Sequence, residues 1–283
     1  MTDFRHPSDI SATGLFDIRA KDFRQNRALP PLKGGRAAPG RGSGGNGGND
    51  CDNGSLAPAR LSASSLIEWL RCPMLWAGRR VWRWPEPPAH PALAMGAALH
   101  AAFAAHHRGQ DAELALLAAW AQVERAPYGA LQRASNAVRA YAAANPAQFG
   151  DRAEVAFTLE SRALPCRLIG YYDLVRGEEV HEIKTGMTAW TQARVDRELQ
   201  ATAYLYAWRE LRGELPPLTY WTVDTGSHGR VQRLVTQRTA WELEEFAALA
   251  GRIYGEMERA ELAARCMPSR CVWPERCAAW RRR

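Results

Sequence analysis

The spacing of apolar residues predicts a helical first part for the folded region of the chain. From Leu61 to Trp76 the apolar positions recur at near-helical spacing, with an interruption at Cys72–Pro73. Ser62, Ser64 and Ser65 are candidate caps of the first helix, and Ser65 and Glu68 have the spacing of a capping box. Further Ala-rich segments have the same period and predict helices at roughly 92–107, 112–124 and 131–144.

Beyond residue 150 the period changes to the alternation that is typical of strands. Three short strands are predicted at 154–160, 166–175 and 179–184, and a strand pair at 218–225 and 229–236. Two helices are predicted as well, at roughly 195–211 and 240–263. This order predicts an α/β domain with a small mixed sheet flanked by helices and with a helical N-terminal part.

Residues 1–58 differ in composition from the rest of the chain. They contain ten of the 23 glycines, most of them within 34–54. Such a segment cannot bury enough apolar surface to offset the entropy that is lost on ordering. We therefore expect a disordered Gly/Arg-rich arm over 1–58 and a folded domain over 60–283, which ends in a Cys-rich tail over 264–283.

Charge and hydropathy limit the partners of the protein. The chain has 37 basic and 30 acidic residues, and its net charge of +7 fits a phosphate-rich partner such as nucleic acid. No apolar run approaches the roughly 18 residues of a membrane span, and the first residues lack the pattern of a secretory signal. We therefore expect a cytoplasmic protein without membrane association.

Lysine is nearly absent, which draws attention to one residue. Only three of the 37 basic residues are Lys, and two of them, Lys21 and Lys33, lie in the predicted arm. Lys184 is therefore the sole lysine of the predicted domain. Where arginine has replaced lysine almost everywhere else, a retained lysine indicates a position that a planar guanidinium does not fill equally well.

Two acidic residues lie near Lys184 in the predicted sheet. Side chains alternate along a strand, so Glu182 and Lys184 point to the same face, with Ile183 directed into the core. If the preceding strand pairs antiparallel across the Arg176–Gly177 turn, Asp173 reaches the same end of the sheet. Two converging carboxylates suit Mg²⁺ or Mn²⁺, and a lysine beside them supplies a positive charge for a phosphate oxygen or helps to deprotonate water.

Together with two flanking motifs, these residues resemble the PD-(D/E)XK nuclease superfamily. The E-x-K pattern is weak alone, because exposed salt bridges on surface strands also produce it. The segment from Gly96 to His100 is similar to the G-x-x-x-H helix motif of the branch that contains RecB and AddB. Gln200 and Tyr204 are similar to its Q-x-x-x-Y motif, and a separation of four residues puts both on one side of a helix.

The resemblance implies a fold and a role for each of these residues. The fold is the restriction-endonuclease-like core of the superfamily, which holds Mg²⁺ or Mn²⁺. Lys184 would position or activate a water molecule. The implied metal ligands are His100, Asp173, Glu182 and the backbone carbonyl of Ile183, and the residues that orient the substrate are Gln200 and Tyr204.

Other interpretations of these residues stay open. His100 could instead be a core histidine, and Tyr204 a packing residue. Glu154 precedes a predicted strand, as a Glu often does in the family, and is given a supporting role. His106, His107 and His181 are expected at the surface without a role.

The cysteines form a second candidate site. Six Cys in an intracellular chain argue against a disulfide framework. Cys266, Cys271 and Cys277 have C-x4-C-x5-C spacing, and Cys72 is a candidate fourth ligand. A subset of the same nuclease branch has this layout and joins its two ends with a 4Fe–4S cluster, so the resemblance implies an iron–sulfur cluster here. Zinc is the alternative ion, and unpaired thiols are the alternative without a metal.

Eleven tryptophans are unusual for this length. Trp82 and Trp84 lie among arginines, a mixture that is typical of surfaces that stack single-stranded bases, and Trp190 follows soon after Lys184. We expect these three tryptophans to contact DNA and Trp76 to lie in the core. The sequence contains no motif that reads bases, so we expect cleavage that is independent of sequence.

The combined interpretation is a RecB-like, metal-dependent DNA nuclease. We expect an exonuclease that hydrolyses phosphodiester bonds of single-stranded DNA or DNA with free ends, in DNA repair, recombination, or phage or CRISPR DNA processing. The sequence has no motor motif, so a helicase or recombination protein is an expected partner. The alternative is a catalytically silent iron–sulfur module that binds DNA ends together with a partner.

Overall fold

A six-stranded mixed sheet with helices on both faces forms the folded region. The computed structural model describes residues 55–86, 90–226, 229–262 and Trp273. The helices are α1 (Ala63–Arg71), α2 (Pro73–Arg80), α3 (Pro91–His107), α4 (Ala112–Trp120), α5 (Ala130–Ala144), α6 (Gln192–Val195), α7 (Leu199–Arg212) and α8 (Ala240–Glu258). The strands are β1 (Arg60–Leu61), β2 (Arg152–Leu159), β3 (Arg167–Arg176), β4 (Glu179–Gly186), β5 (Leu218–Asp224) and β6 (Val231–Thr236). The predicted α/β class is confirmed.

The strand order places β3 and β4 inside the sheet. The path is β1–β3–β4–β5–β6, and β2 pairs along the other edge of β3. β3 and β4 are antiparallel around the Arg176–Gly177 turn, as predicted, and Gly177 has a φ of 58° that suits a residue without a Cβ. β4 and β5 are parallel, with α6 and α7 in the connection between them, and β5 and β6 form the predicted antiparallel pair.

Side chains alternate along β5 between two hydrophobic clusters, one on each face of the sheet. Leu218 and Tyr220 belong to a cluster with α1, α7 and α8, whereas Trp221 and Val223 belong to a cluster with α3, α4 and α5. Ile183 joins the second cluster, which confirms that it points into the core. Because burial of one such side chain contributes roughly 1.5–3 kcal/mol, apolar contact holds both helical layers on the sheet.

The first helix begins earlier than the capping-box spacing predicts. Ser62 is the N-cap of α1, and its hydroxyl oxygen accepts the backbone N–H of Ser65 at 3.2 Å. The Ser65 hydroxyl is buried and accepts the indole N–H of Trp76 at 2.8 Å. The predicted box at Ser65 and Glu68 is therefore wrong, because a long-range contact with a core tryptophan occupies the cap oxygen. Trp76 is fully buried, as expected.

The helix predicted over 195–211 is divided into α6 and α7. The buried Arg238 lies at the break, where its guanidinium donates to the backbone carbonyl oxygens of Val195 and Glu198 at 3.3 and 3.2 Å. It also donates to Thr202 Oγ1 at 2.8 Å. These carbonyls therefore have a side-chain partner where the chain leaves the helical conformation.

A polar network joins the C-terminal ends of α3, α5 and β3, and we call it the Asp151 network. Arg176 donates from Nε and Nη2 to the two Asp151 oxygens at 2.8 and 2.9 Å, and His107 Nδ1 lies 2.8 Å from the same carboxylate. Tyr141 and Asn145 complete it, since the Tyr141 hydroxyl bonds to His107 Nε2 and Asn145, and Asn145 Oδ1 accepts from Arg176. Each of these side chains therefore has a hydrogen-bond partner within the network.

The burial of two histidines corrects one expectation from the sequence. His107 and His181 are both buried, so their expected place at the surface is wrong. Burial lowers the pKa of His107 to about 4 and that of His181 to about 4. Burial opposes ionisation of Asp151, but the hydrogen bonds from Arg176, Gln148 and His107 and the charge of Arg176 together outweigh it. They hold the pKa of that carboxyl well below its usual range.

The two terminal predictions fall largely outside the described residues. Of the arm predicted over 1–58, only 55–58 are described, and of the tail predicted over 264–283, only Trp273 is described. The proposed domain bounds therefore stay predictions. Within the described segments, we find no helix whose length and apolar character would suffice to span a membrane.

Candidate active site

The candidate site lies where β3 and β4 stop pairing. Their ladder ends with Leu174 opposite His181. Beyond this pair, the backbone N–H of Ile183 donates to Asp173 Oδ2 at 2.7 Å. The Asp173 carboxylate therefore connects β3 to the part of β4 that carries Glu182 and Lys184.

His100, Glu154 and Asp173 form one end of the site, and we call them the acidic cluster. A potential ligand atom of each lies within 4.8 Å of those of the other two. Glu154 faces Asp173 across the β2–β3 ladder, because the residues on either side of Glu154 pair with those on either side of Asp173. Helix α3 brings His100 to them, with Nδ1 3.6 Å from Asp173 Oδ1.

The pKa shifts in the acidic cluster report an excess of negative charge. Burial and the charge of Asp173 both raise the pKa of Glu154. Burial opposes protonation of His100, but the nearby carboxylate of Asp173 and the charge of Glu182 outweigh it and raise the pKa of that imidazole. A divalent cation would oppose both shifts. One imidazole nitrogen with carboxylate oxygens is a donor set that suits such an ion.

Glu154 has a backbone conformation that residues other than glycine rarely adopt. Its φ is 57°, in the left-handed region, although it lies within β2. Such strain costs on the order of 1–3 kcal/mol, and it clusters at functional sites where the surrounding structure fixes it. The pairing of β2 with β3 on both sides of Glu154 provides that constraint.

A hydrogen-bonded chain connects β4 to α7. Lys184 Nζ donates to Glu182 Oε1 at 2.6 Å and to Gln200 Oε1 at 2.7 Å. Gln200 Nε2 donates to Glu182 Oε1 and to the Tyr204 hydroxyl, both at 2.8 Å. The separation of four residues puts Gln200 and Tyr204 on the same side of α7. Two acceptors therefore hold the lysine ammonium in one position.

Glu182 is a buried carboxylate with one unused oxygen. Its side chain is 3% exposed, and Oε2 has no hydrogen-bond partner among the described residues. Burial raises the pKa of Glu182, and the charge of Asp173 adds to the rise, whereas Lys184 opposes it without cancelling it. A buried acceptor is costly unless a donor or a cation binds to it. The residues present therefore fit a divalent cation beside Glu182 and the acidic cluster.

The structure brings all of the side chains that the sequence singled out for catalysis into one region. Their roles stay predictions, as does the Ile183 carbonyl as a ligand. Glu154 is the residue whose importance the sequence underestimates, because only the strand register reveals that it faces Asp173. The side chains that meet are those of His100, Asp173, Glu182, Lys184, Gln200 and Tyr204.

Tyr204 serves as a packing residue as well as a hydrogen-bonding one. Its ring packs edge to face against Phe157 and Tyr172, with ring centroids 5.7 and 5.4 Å away. Burial raises the pKa of its hydroxyl above the ordinary value. The hydroxyl therefore stays protonated and can donate a hydrogen bond.

The tryptophans expected to contact DNA have different environments. Trp82 is 39% exposed and stacks on Trp84 with ring centroids 4.9 Å apart. Trp84 packs in turn against Trp273 at 5.3 Å. Trp190 stacks on Tyr220 near the site. Their contacts with DNA stay predictions.

Cys72 is the one predicted cluster ligand within the described residues. It is 1% exposed and packs with Met74, Leu75 and Trp273. The indole N–H of Trp273 donates to the Pro85 carbonyl oxygen at 2.7 Å. The other three predicted ligands, Cys266, Cys271 and Cys277, lie outside the described residues.

Comparison with protein families agrees with the geometry of the site. The model of the PD-(D/E)XK nuclease superfamily matches residues 60–281, and the chain belongs to that superfamily. Its members are nucleases that use divalent metals, so the protein belongs to a class of hydrolases that act on nucleic acids. No curated protein matches the chain.

Comparison with solved structures supports the fold. A protein named "Putative exonuclease" from Eubacterium rectale superposes with a TM-score of 0.53 and 14% identity, over 79% of this chain and 88% of that one. The structure of SSO0001 gives a TM-score of 0.39 and 15% identity, over 78% of this chain and 87% of that one. The first likeness supports the fold alone, and the second is too low to support any argument.

Proposed function

We propose that the protein is a DNA exonuclease that uses Mg²⁺ or Mn²⁺. The observation that supports this most is the meeting of the acidic cluster with the Glu182–Lys184 pair at the end of the β3–β4 ladder. Three carboxylates share one lysine and one histidine there. Such a negative, oxygen-rich site attracts a divalent cation, which in turn attracts phosphate.

The acidic cluster and Glu182 would hold the metal. When bound, the ion would supply Lewis-acid chemistry to the phosphodiester and lower the pKa of a coordinated water. The proposed side-chain ligands are His100, Glu154, Asp173 and Glu182 through Oε2, with the Ile183 carbonyl as a backbone ligand. Asp173 is oriented for this role, since one of its oxygens accepts the Ile183 N–H and the other faces His100.

Lys184 would position the attacking water and offset the charge that develops on the phosphate. Lysine has three N–H donors, of which Glu182 and Gln200 accept two, so the third can donate to water or to a phosphate oxygen. Its side chain is 24% exposed, which leaves the ammonium accessible. Tyr204 orients Gln200, and both would orient the substrate backbone. Together with the metal, these groups must supply most of a barrier reduction of well over ~10 kcal/mol.

Degradation of end-labelled DNA tests this proposal. Linear single- and double-stranded DNA and a closed circular strand are incubated with the protein in Mg²⁺, Mn²⁺ or EDTA. We expect metal-dependent loss of linear DNA only, reduced about 10²–10⁴-fold in Lys184→Ala. Arg139→Ala removes an exposed charge that pairs with Glu113 and should keep full activity. A folded wild type that binds DNA ends but cuts nothing would favour the silent binding module instead.

We also propose that four cysteines hold a 4Fe–4S cluster that joins α1 to the C-terminal segment. The supporting observation is that Trp273, which lies between two of them in the sequence, packs beside the buried Cys72. Zinc remains the alternative ion, since four thiolates suit it equally. The proposed ligands are Cys72, Cys266, Cys271 and Cys277.

Metal analysis of protein that is purified without air decides between these ions. We expect about four irons per chain and a visible chromophore. Cys271→Ala should lose both, whereas Cys166→Ala, which changes a half-buried cysteine outside the set, should keep them. One zinc per chain would indicate a zinc site in place of the iron–sulfur cluster. A wild type without metal would contradict both assignments.

The branch and the partner are proposed from sequence motifs. The G-x-x-x-H segment that ends at His100 and the Q-x-x-x-Y segment that begins at Gln200 support membership of the RecB and AddB branch. We propose a role in DNA repair, recombination or phage or CRISPR DNA processing in the cytoplasm, together with a helicase or recombination protein. Stimulation of cleavage by such a protein, and its absence with an unrelated ATPase, would test the partnership.

A further inference from the structure

An apolar groove edged by arginines lies between α1 and α6. Ile67 and Leu70 on α1 expose 38% and 39% of their surfaces. They line a groove of about 440 Å³ together with Arg194, Arg197 and the beginning of α7. Exposed aliphatic side chains beside cations suit a ligand that has both flat apolar faces and negative charges.

Trp190 supports this groove through an arginine. The Arg194 guanidinium lies over the Trp190 ring, 3.6 Å from its centroid, while Tyr220 stacks on the same indole at 5.7 Å and 25° between planes. These contacts use the ring faces that a nucleobase would need. The Arg194 side chain is nevertheless 49% exposed, and a guanidinium plane stacks on nucleobases as an aromatic ring does.

The contact between Arg194 and Trp190 connects the groove to a depression beside the active site. Trp190 and Lys184 line one depression of about 140 Å³. On the other side, Leu199 lines the groove, and the next residue, Gln200, holds Lys184. A track therefore runs from the groove past the Arg194–Trp190 pair to the Lys184 ammonium.

Charges along this track favour a polyanion. Arg194, Arg197 and Arg230 line it in addition to Lys184, against two carboxylates. One of these, Glu198, lies 3.5 Å from Arg194 Nε, and the other, Asp224, accepts a backbone N–H within its own turn. The cations therefore outnumber the anions where a strand would lie.

We propose that this track binds single-stranded DNA and delivers it to the active site, an inference that rests on the proposed nuclease function. Arg194 would stack on a base, Ile67 and Leu70 would contact base faces, and Arg197 would contact the phosphates. A duplex hides its base faces within the stack, so the apolar floor favours a single strand. Trp190 thus acts through Arg194 as a positioning residue.

Fluorescence anisotropy in EDTA tests the track without any need for cleavage. The full chain is titrated with a labelled thymidine 20-mer and with a 20-base-pair duplex at several salt concentrations. We compare the double variant Arg194→Ala/Arg197→Ala with Arg212→Ala, which removes an arginine that lies 5.5 Å over the Trp208 ring on α7, away from the track. The double variant should weaken single-strand binding about tenfold or more and reduce the salt slope by about 1.

The outcomes separate this proposal from the proposed nuclease activity. Equal losses in the double variant and in Arg212→Ala would overturn the track, as would duplex binding that is tighter than single-strand binding. In cleavage assays the double variant should mainly raise KM for a long single strand, whereas Lys184→Ala should mainly lower kcat. If the wild type cleaves nothing, the nuclease proposal fails, but the binding result in EDTA still decides whether the track exists.

Discussion

Two clusters of carboxylate and histidine side chains share two elements of this protein. Helix α3 carries His100 in the acidic cluster and His107 in the Asp151 network. Strand β3 carries Asp173 in the first and Arg176 in the second. In the Asp151 network each carboxylate oxygen has a donor, whereas the site around the acidic cluster has three carboxylates and a single lysine.

The pKa shifts in these two regions have opposite directions. The pKa of Asp151 is lowered, whereas those of Glu154 and Glu182 are raised. The pKa of His107 is lowered to about 4, whereas that of His100 is raised. Residue types alone therefore do not distinguish a structural polar network from a metal site. The balance between donors and acceptors does.

The largest expected effect on stability comes from Asp151→Asn. It removes one partner of a buried ion pair and leaves the Arg176 guanidinium uncompensated, so the free energy of unfolding should fall by about 3–5 kcal/mol. Denaturant unfolding measures this loss, and cleavage per folded molecule should be unchanged. A loss below about 1 kcal/mol would show that the network does not stabilise the fold as described.

Divalent cations should stabilise the protein by binding to the acidic cluster and Glu182. At a Mg²⁺ or Mn²⁺ concentration of about 100 times Kd, the free energy of unfolding should rise by about 2.7 kcal/mol. Glu182→Gln removes the charge of the buried carboxylate that has the unused oxygen, so most of this gain should disappear. Thermal unfolding with and without metal gives the comparison, and Glu113→Gln, an exposed change, is the control. Equal gains in all three proteins would place the cation elsewhere.

Acid should weaken the Asp151 network. The pKa of His107 is lowered from 6.5 to about 4 on folding, so the unfolded chain binds more protons between these pH values. The free energy of unfolding should therefore fall as the pH decreases through this window, and protonation of Asp151 extends the loss to still lower pH. In His107→Gln the fall between pH 6.5 and 4.5 should be smaller by about 2 kcal/mol. An unchanged pH dependence in that variant would contradict the assignment.

The smallest expected effect concerns the strained backbone of Glu154. Glu154→Ala and Glu154→Gly both remove the carboxylate, but only glycine adopts a φ of 57° without strain. The glycine variant should therefore be more stable than the alanine variant by about 1 kcal/mol, measured by denaturant unfolding in EDTA. Equal stability would mean that the position is not strained.

The parts of the molecule that depend on short spacings could be predicted from the sequence. Alternation along a strand puts Glu182 and Lys184 on one face, and the helical repeat puts Gln200 and Tyr204 on one side of α7. The fold class follows from the same periodicities. These features require only the neighbours of each residue in the chain.

The remaining features depend on contacts between distant segments. Glu154 faces Asp173 only because of the β2–β3 register, which no local pattern specifies. The Asp151 network joins residues that are 44 and 25 positions apart, so the burial of His107 could not be predicted from its surroundings in the sequence. The same limit applies to Ser65, whose hydroxyl bonds to Trp76 and not to the end of α1.

Titration of Mn²⁺ into the metal-free protein tests the central claim most directly. Calorimetry should reveal Mn²⁺ binding by the wild type that is lost in Asp173→Asn, because Asp173 connects the acidic cluster to the segment of β4 that carries Glu182. The exposed variant Glu113→Gln should bind as the wild type does. Binding that is absent in the wild type, or that is equally strong in Asp173→Asn, would contradict the assignment of the acidic cluster and Glu182 as the metal site.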